Sequence, residues 1–334
     1  MSNNGYVLGH SATEIERLKF QATLVRPYTQ RMSVAAGLRE GMRVLDIDCG
    51  TGSVSLLAAE LTGPRGQVVA IDRSATAIKV AVESVRDENL SHVDFRVSAL
   101  DDLSDVEGFD MVVGRYVLIH QPNAVEFLKK AAQFVRPGGW VAFHELNIVD
   151  YLPSFPTIEL WDAVLKEVFT RFQKTCPEPG VARNMVSAFV SAGLGVPDMF
   201  CEIAVVGGSN TGSPEWLINT LRSMSDGAEQ TRLADGREIQ LDATMVELGR
   251  AIDAVHAQVM GPYQVRAWPT REHAVRNDRF YLVGPRKPSY LLPRQSNTRN
   301  RSISAIPPRS FLHQANTSRK WGPEMKPLLS HPVD

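Results

Sequence analysis

The sequence predicts an α/β fold in which a parallel sheet carries helices on both faces, and two segments predict it. The first is the run Val44-Leu45-Asp46-Ile47-Asp48-Cys49-Gly50-Thr51-Gly52. The second is Val68-Val69-Ala70-Ile71-Asp72, whose carboxylate falls twenty positions after the last glycine of the first. An apolar run ending in a glycine turn, then an apolar-periodic helix, then a second apolar run ending in a carboxylate, is the sequence form of a nucleotide-binding β-α-β unit.

Each part of the unit has a physical reason. Residues 42–47 are short and β-branched, which predicts a buried strand. Gly50 and Gly52 lack a Cβ, so the backbone can take positive φ and a ligand can lie against the main chain. Val54, Leu57, Ala58 and Leu61 then recur at helical spacing until Gly63-Pro64 stops the helix. The first amides of that helix and its positive dipole end favour a carboxylate or a phosphate. Asp72, at the end of the second strand, can accept from both hydroxyls of a ribose. A ribose-bearing ligand is therefore expected.

Two details narrow the ligand. A dinucleotide fingerprint has a third glycine three positions after the second, where this chain has Ser55. Asp46 and Asp48 just before the turn oppose a pyrophosphate and tolerate a cation. The run Asp46-Ile47-Asp48-Cys49-Gly50-Thr51-Gly52 resembles motif I of the class I S-adenosylmethionine-dependent methyltransferases, commonly acidic residue-x-Gly-x-Gly-x-Gly. S-adenosylmethionine carries a sulfonium, an ammonium and a ribose, which suits such surroundings. By this resemblance the cofactor would be S-adenosylmethionine, held by Asp46, Cys49, Gly50, Thr51, Gly52, Asp72, Arg73, Ala99, Leu100 and Arg115.

The resemblance continues along the chain. A helix capped by Ser74 presents Ala77, Ile78, Ala81, Val82 and Val85 on one face, and Val93-Asp94-Phe95-Arg96-Val97 alternates as a third strand should. Residues 109–120 resemble the family's fourth strand and the loop after it. A helix through Val125, Leu128, Ala132 and Val135 leads to Arg136-Pro137-Gly138-Gly139, similar to the family's post-helix turn, with Trp140-Val141-Ala142-Phe143 as a fifth strand. The opening Tyr6-Val7-Leu8-Gly9-His10, with Glu14, Arg17, Leu18 and Gln21, is similar to the lead-in of many bacterial small-molecule methyltransferases, and Tyr6 and His10 could anchor or pack a helix over the site.

Further on, helical patterns cover 157–174, 182–194 and about 239–259, Phe200–Val206 reads as a strand, and Gln264–Trp268 reads as a final antiparallel strand. The apolar stripe of Ile158, Trp161, Val164, Leu165, Val168 and Phe172 fits a core better than a substrate pocket. The family fold implies a Rossmann-like seven-stranded sheet, mostly parallel with the last strand antiparallel, and a helical lid insertion. The expected organisation is an N-terminal helical cap (1–40), a cofactor-binding core (41–150), lid helices and closing strands of the same domain (151–270), and a tail (271–334). The resemblance covers roughly residues 5–270, with its specific motifs in the first 145.

Two departures stand out. The first glycine of the family pattern is Asp48 here, which places an added carboxylate near the ligand. The acidic residue that often accepts from the adenine amino group is replaced by Ala99, so either Asp101 substitutes from a shifted loop or backbone and packing hold the adenine.

Composition agrees with a soluble, cytoplasmic enzyme. The 334 residues are 43% hydrophobic, which is ample for a core, and no apolar run of membrane-spanning length or signal segment is present. Three widely spaced cysteines support neither disulfides nor a metal site. From Arg271 onward there are twelve Lys or Arg against four Asp or Glu, and eight of the twenty prolines, a composition expected to stay disordered. The tail lacks interleaved aromatics, so no nucleic-acid partner is expected; membrane insertion is not expected either, and oligomeric state is left open.

Methyl transfer needs alignment of the nucleophile, exclusion of water and, for a hydroxyl acceptor, removal of a proton. His120 follows strand four and His144-Glu145 follow strand five, at the carboxyl edge where open α/β sheets bind ligands. His144 is the first candidate base, with Glu145 orienting it or binding substrate; the alternative is that His120 caps a loop and His144 packs under the lid. The leading expectation is methyl transfer to a small molecule through oxygen, carbon or nitrogen. A nicotinamide-dependent oxidoreductase, or a silent binding protein of the same fold, remains open.

Overall fold

Buried β-branched runs build the middle of the sheet. Strands β1 (Arg43–Ile47) and β2 (Gln67–Asp72) bury Val44, Leu45, Ile47, Val68, Val69, Ala70 and Ile71 completely, because helices cover both faces and no side of a central parallel strand meets water. The computed structural model describes residues 12–87, 90–104, 108–208, 211–225 and 227–269. The expectations for Tyr6, His10 and the basic tail lie outside these residues.

Seven strands form the main sheet. To β1 and β2 are added β3 (Val93–Val97), β4 (Phe109–Arg115), β5 (Val135–Asn147) and β6 (Pro197–Glu202), with β11 (Tyr263–Pro269) last in the chain. Their order is β3-β2-β1-β4-β5-β11-β6, with β11 antiparallel to both its neighbours and the other pairs parallel. The final strand is thus antiparallel, as the sequence predicts.

Alternate residues of each strand feed opposite faces. Leu45, Ile47, Val69, Ile71, Val112 and Phe143 pack with Phe127 and Leu128 of α4 (Ala124–Gln133) and Met185 and Phe189 of α6 (Met185–Ser191). On the other face Val44, Val68, Met111 and Val113 pack with Met32 and Ala36 near the end of α1 (Ala12–Ala35) and Val54, Ala58 and Ala59 of α2 (Ser53–Thr62). Helix α3 (Ala75–Asp87) joins β2 to β3, and its Ala77 amide donates to Ser74 Oγ at 3.2 Å, the predicted cap.

The lid has a core of its own. Helices α5 (Glu159–Thr175), α7 (Ser213–Ser223) and α8 (Leu241–Ala254) bring together Trp161, Leu165, Phe169, Leu217, Leu221, Leu248 and Ile252. The stripe read from 157–172 is therefore core, apart from its last member, Phe172, which reaches a cavity wall. Two small antiparallel ribbons complete the lid, β7 (Val205–Gly207) with β10 (Gln258–Met260), and β8 (Gln230–Arg232) with β9 (Glu238–Gln240). Among the described residues no helix is long and apolar enough to cross a membrane.

Three boundaries differ from expectation. The turn at Arg136–Gly139 lies inside β5, where the register slips between Phe109 and Met111 and Gly138 takes φ 79°. A side chain at Gly139 would come within 2.6 Å of the Asp110 carbonyl, so this glycine permits close strand contact at a bulge. The single strand expected over 200–206 is split, its first part joining the main sheet and its second the lid ribbon. Helix α7 was not anticipated, although Gly212 followed by Ser213-Pro214 is a readable helix start.

Gly114 lies in β4 where a Cβ would sit 2.5 Å from Phe143 Cε1 and 3.1 Å from Val117 Cγ2. Gly114→Ala should cost about 1–3 kcal/mol, the usual cost of overpacking a tight core. Chemical denaturation checks this, and an unchanged midpoint would mean that the Phe143 ring yields without penalty.

Candidate active site

The carboxyl ends of β1, β2 and β4, together with α1 and the lid, enclose a cavity of about 710 Å³, within the roughly 300–1,000 Å³ typical of small-molecule sites. Cys49, Gly50, Thr51, Asp72, Arg73, Leu100, Arg115 and His120 all lie on its wall. Of the residues predicted from sequence, Asp46, Gly52, Ala99, His144 and Glu145 do not.

The two motif glycines do different work. Gly50 has φ 54°, and a Cβ there would meet no protein atom within 4 Å, so this backbone is open to a ligand. Gly52 has φ 84°, and its Cβ would lie 3.0 Å from both Ala81 Cβ and Phe95 Cζ. Gly52 thus lets the turn pack on α3 and β3 rather than on a ligand.

Asp72 ties the turn to β2. Its Oδ2 accepts from the Gly50 amide and its Oδ1 from the Ser74 amide, each at 2.8 Å. A carboxylate has about four lone-pair positions, so both oxygens retain capacity for ligand hydroxyls.

Asp46 is buried beneath the turn rather than on the wall. It accepts from Ser55 Oγ at 2.6 Å, which explains why a hydroxyl stands where a dinucleotide fingerprint has glycine. Burial pushes its carboxyl up to about 7, opposed by the Ser55 bond and the Arg115 charge. Arg115 donates to Ser53 Oγ at the first turn of α2. Asp48 faces the cavity at φ 51° and accepts from Gln121 Nε2 at 3.1 Å; burial and then the neighbouring Asp72 raise it to about 6.

His144 and Glu145 require a correction. Both are 0% exposed. Gln264 Oε1 lies 2.8 Å from His144 Nε2 and also accepts the Tyr116 hydroxyl at 2.6 Å, while Thr29 Oγ1 lies 2.9 Å from His144 Nδ1. Because an amide oxygen only accepts, Nε2 carries the proton and Nδ1 accepts from Thr29. Burial holds His144 neutral, its pKa well below the usual imidazole range. Glu145 accepts from the amides of Val117, Leu118 and Ile119 at 3.0, 2.9 and 3.4 Å, and burial nevertheless pushes it up to about 8. Glu145 thus clamps the loop after β4 from below, while His144 ties α1 to β11 and, through Gln264, meets Tyr116, which takes φ 59°.

His120 does reach the cavity. It lies in a single 3-10 turn, Leu118–His120, with Nδ1 4.0 Å from Cys176 Sγ, and burial lowers it to about 4. Ile119, Phe127, Leu146, Phe172 and Trp216 are the large apolar residues of the same wall. Helix α1 is tied to α7 at the cavity wall, where Arg17 and Trp216 Nε1 both donate to Gln21 Oε1, at 2.8 and 3.2 Å. Asp101 is on the wall too, paired with Lys130 at 2.6 Å.

The methyltransferase-domain family matches residues 38–188, the span that holds this turn, β2, the loop after β4 and His144. Residues 38–188 are thus similar to a methyltransferase domain. A ubiquinone biosynthesis O-methyltransferase of Nitrobacter winogradskyi is 35% identical over 107 residues, 32% of this chain and 40% of that protein. A demethylmenaquinone methyltransferase of Listeria welshimeri is 30% identical over 133 residues, 40% of this chain and 53% of that one. The chain spans about half the length of such relatives or less. A solved putative methyltransferase of Bacillus halodurans overlaps 72% of this chain and 99% of its own, at 15% identity and a TM-score of 0.47.

Native Asp46 keeps its proton up to about pH 7, whereas the unfolded chain releases it near 3.8. Folding therefore takes up a proton between those values, and Asp46 makes stability fall as pH rises through that window. For Asp46→Asn, thermal midpoints measured from about pH 5 to pH 8 should improve relative to the wild type as pH rises. A difference that stays constant would show Asp46 ionised throughout.

Proposed function

We propose that this chain is a methyltransferase that moves a methyl group from S-adenosylmethionine to a small molecule by in-line displacement. The observation that carries the reading is the open Gly50 backbone, set between the Asp72 carboxylate and the amino end of α2 inside a methyltransferase domain. A cradle without side chains, a ribose acceptor on one side and anion donors on the other fit a nucleoside joined to an amino acid.

Asp72 would take the ribose hydroxyls and Leu100 would cover the adenine, with Asp101 or the backbone at Ala99 near its amino group. Arg115 and the first amides of α2 would take the ligand's carboxylate, while Cys49, Thr51 and Arg73 line the same wall. Asp46 and Gly52 hold the turn in shape from behind. The bound cofactor supplies a methyl group on a positively charged sulfur that leaves readily.

The acceptor end is apolar, with His120 as its imidazole. Being neutral at physiological pH, His120 could accept a proton from an acceptor hydroxyl, and Phe127, Phe172 and Trp216 exclude water. His144 and Glu145 take the role of positioning residues. The quinone-biosynthesis names of two relatives support an apolar small-molecule acceptor. Residues 1–40 would cap the site, 41–150 form the cofactor core and 151–270 the lid, in a cytoplasmic enzyme.

Titration calorimetry with S-adenosylmethionine, S-adenosylhomocysteine and NAD tests the reading: the two sulfur ligands should bind and NAD should not. Gly50→Val should abolish binding, and Asp72→Ala should weaken it by about 1–3 kcal/mol, the scale of lost hydrogen bonds to a charged group. Unchanged affinity in both would sink the site assignment. With hydroxylated aromatic acceptors, followed by release of S-adenosylhomocysteine, His120→Ala should slow turnover by about 10²–10⁴-fold without changing cofactor affinity; equal loss of both would make His120 a structural residue.

A further inference from the structure

The carboxylate at position 48 is not needed to make the turn. Its φ of 51° suits glycine at least as well as aspartate, so the side chain is retained for what it faces. What it faces is the cavity, beside Asp72.

Strands β1 and β2 run parallel with Ile47 opposite Ile71. Asp48, the residue after β1, and Asp72, the last of β2, therefore lie at neighbouring strand ends, and each lines the cavity. Beyond β1 comes β4, whose following loop supplies Gln121 and His120. A ligand with its ribose at Asp72 and its reacting end toward His120 must pass over Asp48. In S-adenosylmethionine the atom attached to the ribose 5′ carbon on that side is the sulfur.

The charge of Asp48 is also uncommitted. One oxygen accepts from the neutral Gln121 amide, and Arg73 acts on it only across space. Among the described residues no ion pair holds Asp48 or Asp72.

We propose that Asp48 is a specificity residue that favours a positively charged sulfur, so that the site holds the methyl donor more tightly than the neutral thioether left after transfer. The proposal rests on the S-adenosylmethionine reading above. It assigns a role in product release to the residue that departs from the family's glycine.

The test is titration calorimetry at about pH 7.5, where Asp48 is mostly ionised. The ligands are S-adenosylmethionine, S-adenosylhomocysteine and sinefungin, which carries an amine in place of the sulfonium. The variants are Asp48→Asn and Asp48→Gly; the second removes any backbone strain and so protects against a folding failure. The wild type should prefer the two charged ligands. Both variants should lose about tenfold in affinity for them, equivalent to about 1.4 kcal/mol, with S-adenosylhomocysteine changed by less than about twofold. Equal weakening of all three would put Asp48 beside their shared ammonium and overturn the proposal, as would no change in any. If the wild type binds none of them, the cofactor reading itself fails and the proposal falls with it.

Discussion

The ligand face depends on one carboxylate. Asp72 accepts from the Gly50 amide on one side and the Ser74 amide on the other, so a single side chain fixes the turn after β1 and the start of α3 relative to β2. Both amides are donors with no strand or helix partner of their own at that point. Without Asp72 they would be left to solvent, and the open backbone at Gly50 would have no fixed position. The same carboxylate therefore shapes the floor and faces the cavity.

Beneath that floor lies a second layer of polar groups, of which Tyr116 also reaches the cavity wall. Asp46 with Ser55, Glu145 with three loop amides, and the Thr29, His144, Gln264 and Tyr116 cluster are all satisfied internally. Buried polar groups with complete partners make an arrangement rigid, because each alternative leaves a donor or acceptor unpaired. Tyr116 is held in a left-handed backbone conformation by this means, and its ring is aimed from a loop as firmly as from a strand.

The sheet was legible because its information is local. Glycine turns, capping serines and apolar runs state strand order and helix starts within a few residues, and Gly50, Asp72 and Arg115 follow from that. What was not legible depends on direction. His144 and Glu145 sit at the expected sheet edge, but a strand points successive side chains to opposite faces, and here one meets α1 and β11 while the other turns under the β4 loop. Nothing in the spacing says which face is wet. The lid ribbons were missed for a related reason: three-residue strands such as Gln230–Arg232 carry too little pattern to be read. Gly52 shows the converse, since a motif glycine can serve packing as readily as ligand contact.

The lid's separate core has an evolutionary consequence. Trp161, Leu217 and Leu248 pack with one another rather than with the sheet, so substitutions that reshape the lid need not disturb the turn at Gly50. Phe172 packs against both cores and also lines the cavity. Selection could thus reshape the lid side of the cavity with the Gly50 turn left intact, and a residue like Phe172 is where the two halves would have to change together.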